Sequence, residues 1–252
     1  MPTDAVMGFW NERAALGAQA GTDDLIGAEL ERRAILAYLR PGMRVLDCGC
    51  GTGKTARAAA ALGCDVTGWD YSEEMIAAAI STGAAGMRYM VADIREKPTV
   101  GAPYDVVYTQ RCLINLATWQ EQVAAIRHLL SLLRPGGTYL MCECSADGLA
   151  DINELRRKVG LPVIQQHWHN RYLKGDELLG LARDLEDDGI SGLLTVDYPL
   201  STYALLSRVV NAALAAQELR QPAYDAPVNR LALDLPAIGS IGQNRLWVWR
   251  RL

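Results

Sequence analysis

Val45-Leu46-Asp47-Cys48-Gly49-Cys50-Gly51-Thr52-Gly53-Lys54 decides how this chain is read. A short apolar run ends on an acid and passes into three glycines, each one residue apart. A lysine and an Ala-rich stretch to Leu62 follow. The apolar run reads as a buried strand and the Ala-rich stretch as a helix, ended by Gly63. Glycine adopts the torsions of a tight turn without steric cost and lets a ligand come close to the backbone. The helix behind the turn offers free N–H groups and partial positive charge.

The same alternation continues outward. Asp24 to Leu39 has helical apolar spacing and stops at Pro41-Gly42; Met43 to Cys48 is the first strand. Cys64 to Trp69 is the second strand, and Ser72 caps a helix through Ile80 with Glu73 and Glu74 in its first turn. Met87 to Ala92 and Tyr104 to Thr109 are the third and fourth strands. Trp119 to Leu133 is an amphipathic helix ended by Arg134-Pro135-Gly136-Gly137, and Thr138 to Cys144 is the fifth strand. Strands alternating with helices predict an α/β fold, a doubly wound and mostly parallel sheet with helices on both faces. Beyond Ser145 the pattern loosens. Leu149 to Arg157 and Gly175 to Asp188 read as helices, Leu193 to Tyr198 as a strand, Thr202 to Leu219 as one helix, and Asn244 to Arg251 as a last strand. The expected layout is an N-terminal helical cap over 1–40, a core over 41–145, and a remainder over 146–252 with a helical insertion before the last strand, over about 199–241.

Composition narrows the function classes. The 252 residues suit one large α/β domain or a core with a cap. Lys and Arg number 25 against 29 Asp and Glu, a net charge of −4. That balance carries no electrostatic footprint for nucleic acid or an anionic membrane. No apolar run reaches bilayer length and the first residues lack a signal-peptide pattern, so a cytoplasmic setting is expected. Cys48/Cys50 and Cys142/Cys144 form close pairs within strands. They read as small buried hydrophobes rather than metal ligands, whose pairs usually stand two residues apart with further ligands nearby.

Three ligand classes use a glycine turn of this kind. A dinucleotide turn needs G-x-G-x-x-G, and Gly49, Gly51 and Gly53 do not fit it. A phosphate loop needs a glycine five residues before Gly53-Lys54-Thr55, where Cys48 stands. The third class fits. Asp47-x-Gly49-x-Gly51-x-Gly53, with Asp70 after the second strand, Asp93 after the third, Tyr104-Asp105-Val106-Val107 and Leu133-Arg134-Pro135-Gly136-Gly137, resembles the class I seven-stranded methyltransferases over most of the first half. That resemblance implies a seven-stranded Rossmann-like sheet and S-adenosyl-L-methionine as cofactor, with S-adenosyl-L-homocysteine as product. It implies that Asp47 and the turn glycines hold the methionine end, that Asp70 holds the ribose hydroxyls with Tyr71 and Met75 nearby, and that Asp93 and Ile94 flank the adenine. Gln110 and Arg111, just past the fourth strand, join this set, as do Trp10 and Arg13 if an N-terminal helix closes over the cofactor. The alternatives are an NAD- or ATP-type nucleotide-binding enzyme, a non-catalytic partner subunit of the same fold, and a nucleic-acid methyltransferase, which the acidic balance disfavours.

The acceptor is expected to be a small molecule methylated on oxygen or nitrogen, by a monomer or homodimer with no nucleic-acid or membrane partner. Arg111 suits an acceptor carboxylate as well as the cofactor's own. Asn115 suits a polar group or a turn cap. Asn153, Arg156 and the run His167-Trp168-His169-Asn170-Arg171-Tyr172 supply the rest of the expected acceptor wall. His167 or His169 is the expected general base, since imidazole titrates near neutral pH. His128, on the amphipathic helix, reads as structural. Glu143 reads as an acceptor contact or a cap.

Overall fold

The computed structural model describes residues 2–83, 87–96 and 103–252. Among them are strands β1 (Arg44–Cys48), β2 (Asp65–Asp70), β3 (Arg88–Val91), β4 (Tyr104–Gln110), β5 (Leu133–Cys144), β6 (Ser191–Asp197) and β7 (Asn244–Arg251). They form one sheet in the order β3-β2-β1-β4-β5-β7-β6. β7 runs antiparallel to both of its neighbours, and the inner pairs are parallel. The order reverses between β1 and β4, which opens a crevice at the carboxyl ends where open α/β sheets bind ligands.

Period-two alternation sorts each strand into two cores. Leu46, Trp69, Val107, Met141 and Trp249 face one way, against Ile126 and Leu129 of α5 (Trp119–Ser131) and Leu181 of α7 (Gly175–Asp187). Val45, Val66, Val106, Leu140 and Val248 face the other, against Ile35 of α2 (Leu25–Leu36) and the alanines of α3 (Lys54–Ala61). Cys48, Cys142 and Cys144 are buried strand residues within these layers. Asp105 ties the strand bases together. It accepts the backbone N–H of Arg44 at 2.8 Å and the Arg134 guanidinium at 2.6 Å, which explains the acid before the apolar run of β4.

Caps read from the sequence are present. The Ser72 hydroxyl accepts from Met75 N–H at the start of α4 (Glu73–Thr82), and Thr118 and Glu121 form a capping box on α5. α1 (Pro2–Ala14) and α6 (Ala146–Lys158) are single helices. Two expectations differ from the structure. β5 starts at Leu133 rather than Thr138, because Leu133 pairs with Tyr104 before Arg134–Gly137 bulge out of register. The helix expected over 202–219 is instead α8 (Ser201–Leu205), a π-helical segment (Leu206–Val210) and α9 (Asn211–Gln217). Apolar spacing over so few residues does not resolve that change, since the π-helical segment is a single turn long. α10 (Pro227–Arg230) follows before β7.

Leu140 is fully buried at the centre of β5. Leu140→Ala is expected to lower unfolding stability by about 2–5 kcal/mol through lost transfer energy and a residual cavity, read from the urea midpoint at unchanged slope.

Candidate functional site

The turn after β1 takes its shape from three left-handed glycines, Gly49 at φ +75°, Gly51 at +51° and Gly53 at +76°. The N–H groups of Gly49 and Cys50 both donate to the Trp69 carbonyl at 2.8 Å, which pins the turn to β2. A Cβ on Gly49 would collide with the Cys112 side chain, whereas one on Gly51 would meet nothing nearer than Met75 Sδ at 4.0 Å. The second glycine therefore faces open space. That space is a cavity of about 410 Å³ walled by the ends of β1, β2 and β4 and by α1.

Asp47, Gly49, Gly51, Asp70, Tyr71, Met75, Asp93, Ile94, Gln110 and Arg111 all line this cavity, although up to 64 residues separate them in sequence. Asp47 is 2% exposed and its Oδ2 is buried without a partner. Burial, with the neighbouring Asp70 charge adding, pushes its pKa up to about 7. Asp70 accepts from Gly51 N–H at 2.8 Å through one oxygen and from Ser72 N–H at 3.0 Å through the other. The Tyr71 N–H adds a third bond, and the carboxylate, with about four acceptor positions, keeps capacity for a ligand. Burial raises the Asp70 pKa. The Tyr71 hydroxyl is likewise buried and unpartnered. Asp93 lies in an ion pair with Arg95. The unpaired Asp47 oxygen, the open approach over Gly51 and the carboxylate at the end of β2 fit a ligand with a cation at one end and a diol at the other.

Beyond β4 the backbone enters a strained state. Arg111 has φ +53°, a conformation that costs a non-glycine residue about 1–3 kcal/mol and clusters at functional sites. Its guanidinium Nε lies 3.1 Å from Oε2 of Glu31, a 2%-exposed acid on α2. Glu31 also accepts from Gln110 Nε2 at 2.8 Å and from Asn244 Nδ2 at 2.5 Å. It joins α2, β4 and β7 at the floor of the site. The residues 112–114 are anchored by Glu143, which accepts the N–H groups of Cys112, Leu113 and Ile114 at 3.0, 3.1 and 3.4 Å. Burial pushes the Glu143 pKa up to about 7. Of the two roles open to it in the sequence, Glu143 takes that of the cap.

A second chamber of about 380 Å³ adjoins the first and shares Trp10, Arg111, Asn115, Trp168, His169 and Asn170 with it. Trp10 Nε1 donates to Asn115 Oδ1 at 3.2 Å, and the Asn115 amide donates to the Arg111 carbonyl at 3.0 Å, so Asn115 is both turn cap and wall. The 167–172 loop reaches this junction because Arg171 N–H donates to the Ile114 carbonyl at 2.6 Å and Gln122 holds the Arg171 carbonyl at 2.9 Å. Phe9 lies 4.5 Å from the His169 ring, and His167 stacks with the same ring at 5.7 Å. His169 Nδ1 is buried without a partner. Burial, followed by the His167 and Arg13 charges, lowers the His169 pKa.

Several expected site residues lie elsewhere. Asn153 accepts from Ile164 N–H at 2.8 Å and donates to its carbonyl at 3.0 Å, and lines neither chamber. Arg156 donates to the Pro162 carbonyl at 2.7 Å and to that of Arg208. Both are buried and serve to hold the 160–164 loop against α6, so their polarity satisfies backbone rather than a substrate. Arg13 is spent on the Ala20 and Gln19 carbonyls at 2.6 and 2.7 Å and borders only the second chamber. Gly53 lies outside the cavity wall and caps α3. His167 is exposed and, like Tyr172, reaches only the second chamber. Sequence reasoning missed Glu31. Its signal was spacing, because Gly27, Glu31 and Ile35 are buried on one helical face, and an acid on an apolar stripe asks for partners.

A family model described as a methyltransferase domain matches residues 45–137. A malonyl-[acyl-carrier protein] O-methyltransferase of Erwinia billingiae is 33% identical over 201 residues, 79% of this chain and 75% of its own length. The enzyme of the same name from Enterobacter lignolyticus is 34% identical over 172 residues, 66% of this chain and 61% of its own length. The chain thus spans somewhat over half to three quarters of these relatives. The solved structure of a TehB-like SAM-dependent methyltransferase from Corynebacterium glutamicum superposes with a TM-score of 0.57 at 16% identity, covering 98% of both chains, a likeness of fold. Sheet order, turn and a relative one-third identical over three quarters of its length agree, and the chain belongs to the class I, Rossmann-like S-adenosylmethionine-dependent methyltransferases.

Proposed function

We propose that this protein transfers the methyl group of S-adenosylmethionine to an oxygen, or a nitrogen, of a small-molecule acceptor. The observation that carries the reading is the pair of chambers with one shared wall. One is lined by the turn and the carboxylates at the strand ends, the other by the irregular second half of the chain. Oxygen is favoured because the relatives are named O-methyltransferases. In this reading Asp47 meets the methionine ammonium, Asp70 the ribose hydroxyls, and Asp93 and Ile94 the adenine.

When bound, the sulfonium supplies an electrophilic methyl carbon and leaves as a neutral thioether. The chain then has three tasks: to align the acceptor with that carbon, to exclude water and to receive a proton if the acceptor is a hydroxyl. Trp10, Asn115 and His169 stand at the junction where both chambers meet. The Trp10 and Phe9 rings of α1 pack on the His169 ring and screen that junction. His169 Nδ1 is the proton acceptor in this reading. Its lowered pKa keeps the imidazole neutral, with a lone pair free, through neutral pH.

Two outcomes test this. Asp47→Asn is expected to weaken adenosylhomocysteine binding by at least about tenfold in calorimetry, since a charge pair becomes a neutral contact. The Asp47 pKa is raised on folding, so its charge costs stability as pH rises from the usual carboxylate range through about 7. The ligand-free variant should therefore be more stable than wild type at about pH 8, by on the order of 1–4 kcal/mol, and equal to it at about pH 4. His169→Gln is expected to lower kcat by about 10²–10⁴-fold with adenosylhomocysteine affinity unchanged. Wild-type kcat should hold as pH falls to the ordinary imidazole value and drop only below it, and the variant should lose that acid limb.

A further inference from the structure

The second chamber has a wall that the first does not share, built partly by the helical insertion. Arg208 stands there, on the π-helical segment Leu206–Val210. π segments inside helices carry an extra residue per turn, which re-aims side chains, and they recur at functional sites. One arm of Arg208 donates to Asp24 Oδ2 at 2.9 Å, and its guanidinium carbon lies 4.9 Å from the Tyr224 ring centroid. Burial opposes its charge, but Asp24, followed by Tyr224 and Tyr203, raises its pKa and keeps it cationic.

Charges around this chamber balance on paper but not in availability. Asp24 is already the cap of α2, accepting from Gly27 N–H at 2.9 Å, and accepts the Tyr203 hydroxyl at 2.5 Å. Glu31 is held by Gln110, Asn244 and Arg111. Asp23 is 66% exposed and screened by water. On the cationic side Arg111 is turned to Glu31 and Arg13 to backbone carbonyls. Arg208 is different: a guanidinium has five donors in a planar fork, of which Asp24 takes one and the Tyr224 hydroxyl another. Gly27 and Ala28 of the 12-residue α2 line the same chamber, but their N–H groups are already taken by the Asp24 side chain and carbonyl. One cation with donors to spare suits a single-charge planar oxyanion better than a phosphate dianion.

We propose that the second chamber binds acceptors bearing a carboxylate remote from the methylated atom, and that Arg208 selects them. The inference rests on the methyl-transfer reading. It makes the insertion the specificity element: the junction handles the reacting atom, and the unshared wall reads the acceptor's charge.

Calorimetry on protein saturated with adenosylhomocysteine tests this with two matched pairs, 4-hydroxybenzoate against 4-hydroxybenzamide and 4-hydroxybutyrate against its amide, at constant ionic strength. At least one acid is expected to bind about tenfold or more tighter than its amide, as a charge-assisted bidentate contact requires. Arg208→Gln should abolish that preference and Arg208→Lys, which keeps charge but not the fork, should retain part of it. Both variants should bind adenosylhomocysteine as wild type does, which also shows that they are folded. Equal binding of acids and amides, binding of none of the four, or a preference that survives in Arg208→Gln overturns the proposal. Failure of wild type to bind adenosylhomocysteine at all instead overturns the methyltransferase reading beneath it.

Discussion

Two backbone N–H groups, those of Gly49 and Cys50, donate to a single carbonyl, that of Trp69. This contact locks the turn after β1 against β2 and forces the glycines into left-handed torsions that side chains rarely adopt. With the turn in place, Asp47 and Asp70 come to rest beside one cavity, and Gly51 leaves its approach open. α3 starts directly behind. The rest of the site is arranged around this bend: α1 packs on α4, α2 on α3 and β5, and the 167–172 loop on the segment just past β4.

Docking is done by buried polar groups that join segments far apart in the chain. Glu31 connects α2 to Gln110, Arg111 and Asn244, and Gln122 connects α5 to the Leu113 and Arg171 carbonyls. Glu143 gathers three N–H groups just past β4. In a low-dielectric interior such networks are strong when complete and costly when broken, so they hold the strained Arg111 in place. Asp47 differs from these three acids and amides, because one of its buried oxygens has no partner. A group left short within the protein destabilises the empty state and strengthens the contact that a cationic ligand makes, the usual compromise between stability and function.

The fold was legible for a plain reason. Strand and helix periods, capping serines and threonines, and the glycine turn are local properties, and each of them reports on its own few residues. The strand-end acids were legible too, because strand ends and crevice coincide in any doubly wound sheet. The exact start of β5 was not, since a bulge depends on what the partner strand pairs with. Nor was the π segment, whose register follows from how the insertion packs on α6 and α2.

The sequence by itself determined the sheet, the bend and the row of acids, because those rest on torsional preference and on hydrophobic period. Tertiary structure alone decided which polar residues of the second half reach the site. Asn153 and Arg156 look like pocket residues in sequence and are backbone props, while Arg208 looks like ordinary helix surface and is part of a wall. A side chain's spare hydrogen-bonding capacity depends on neighbours tens or hundreds of residues away. Only the packed chain brings those neighbours within reach.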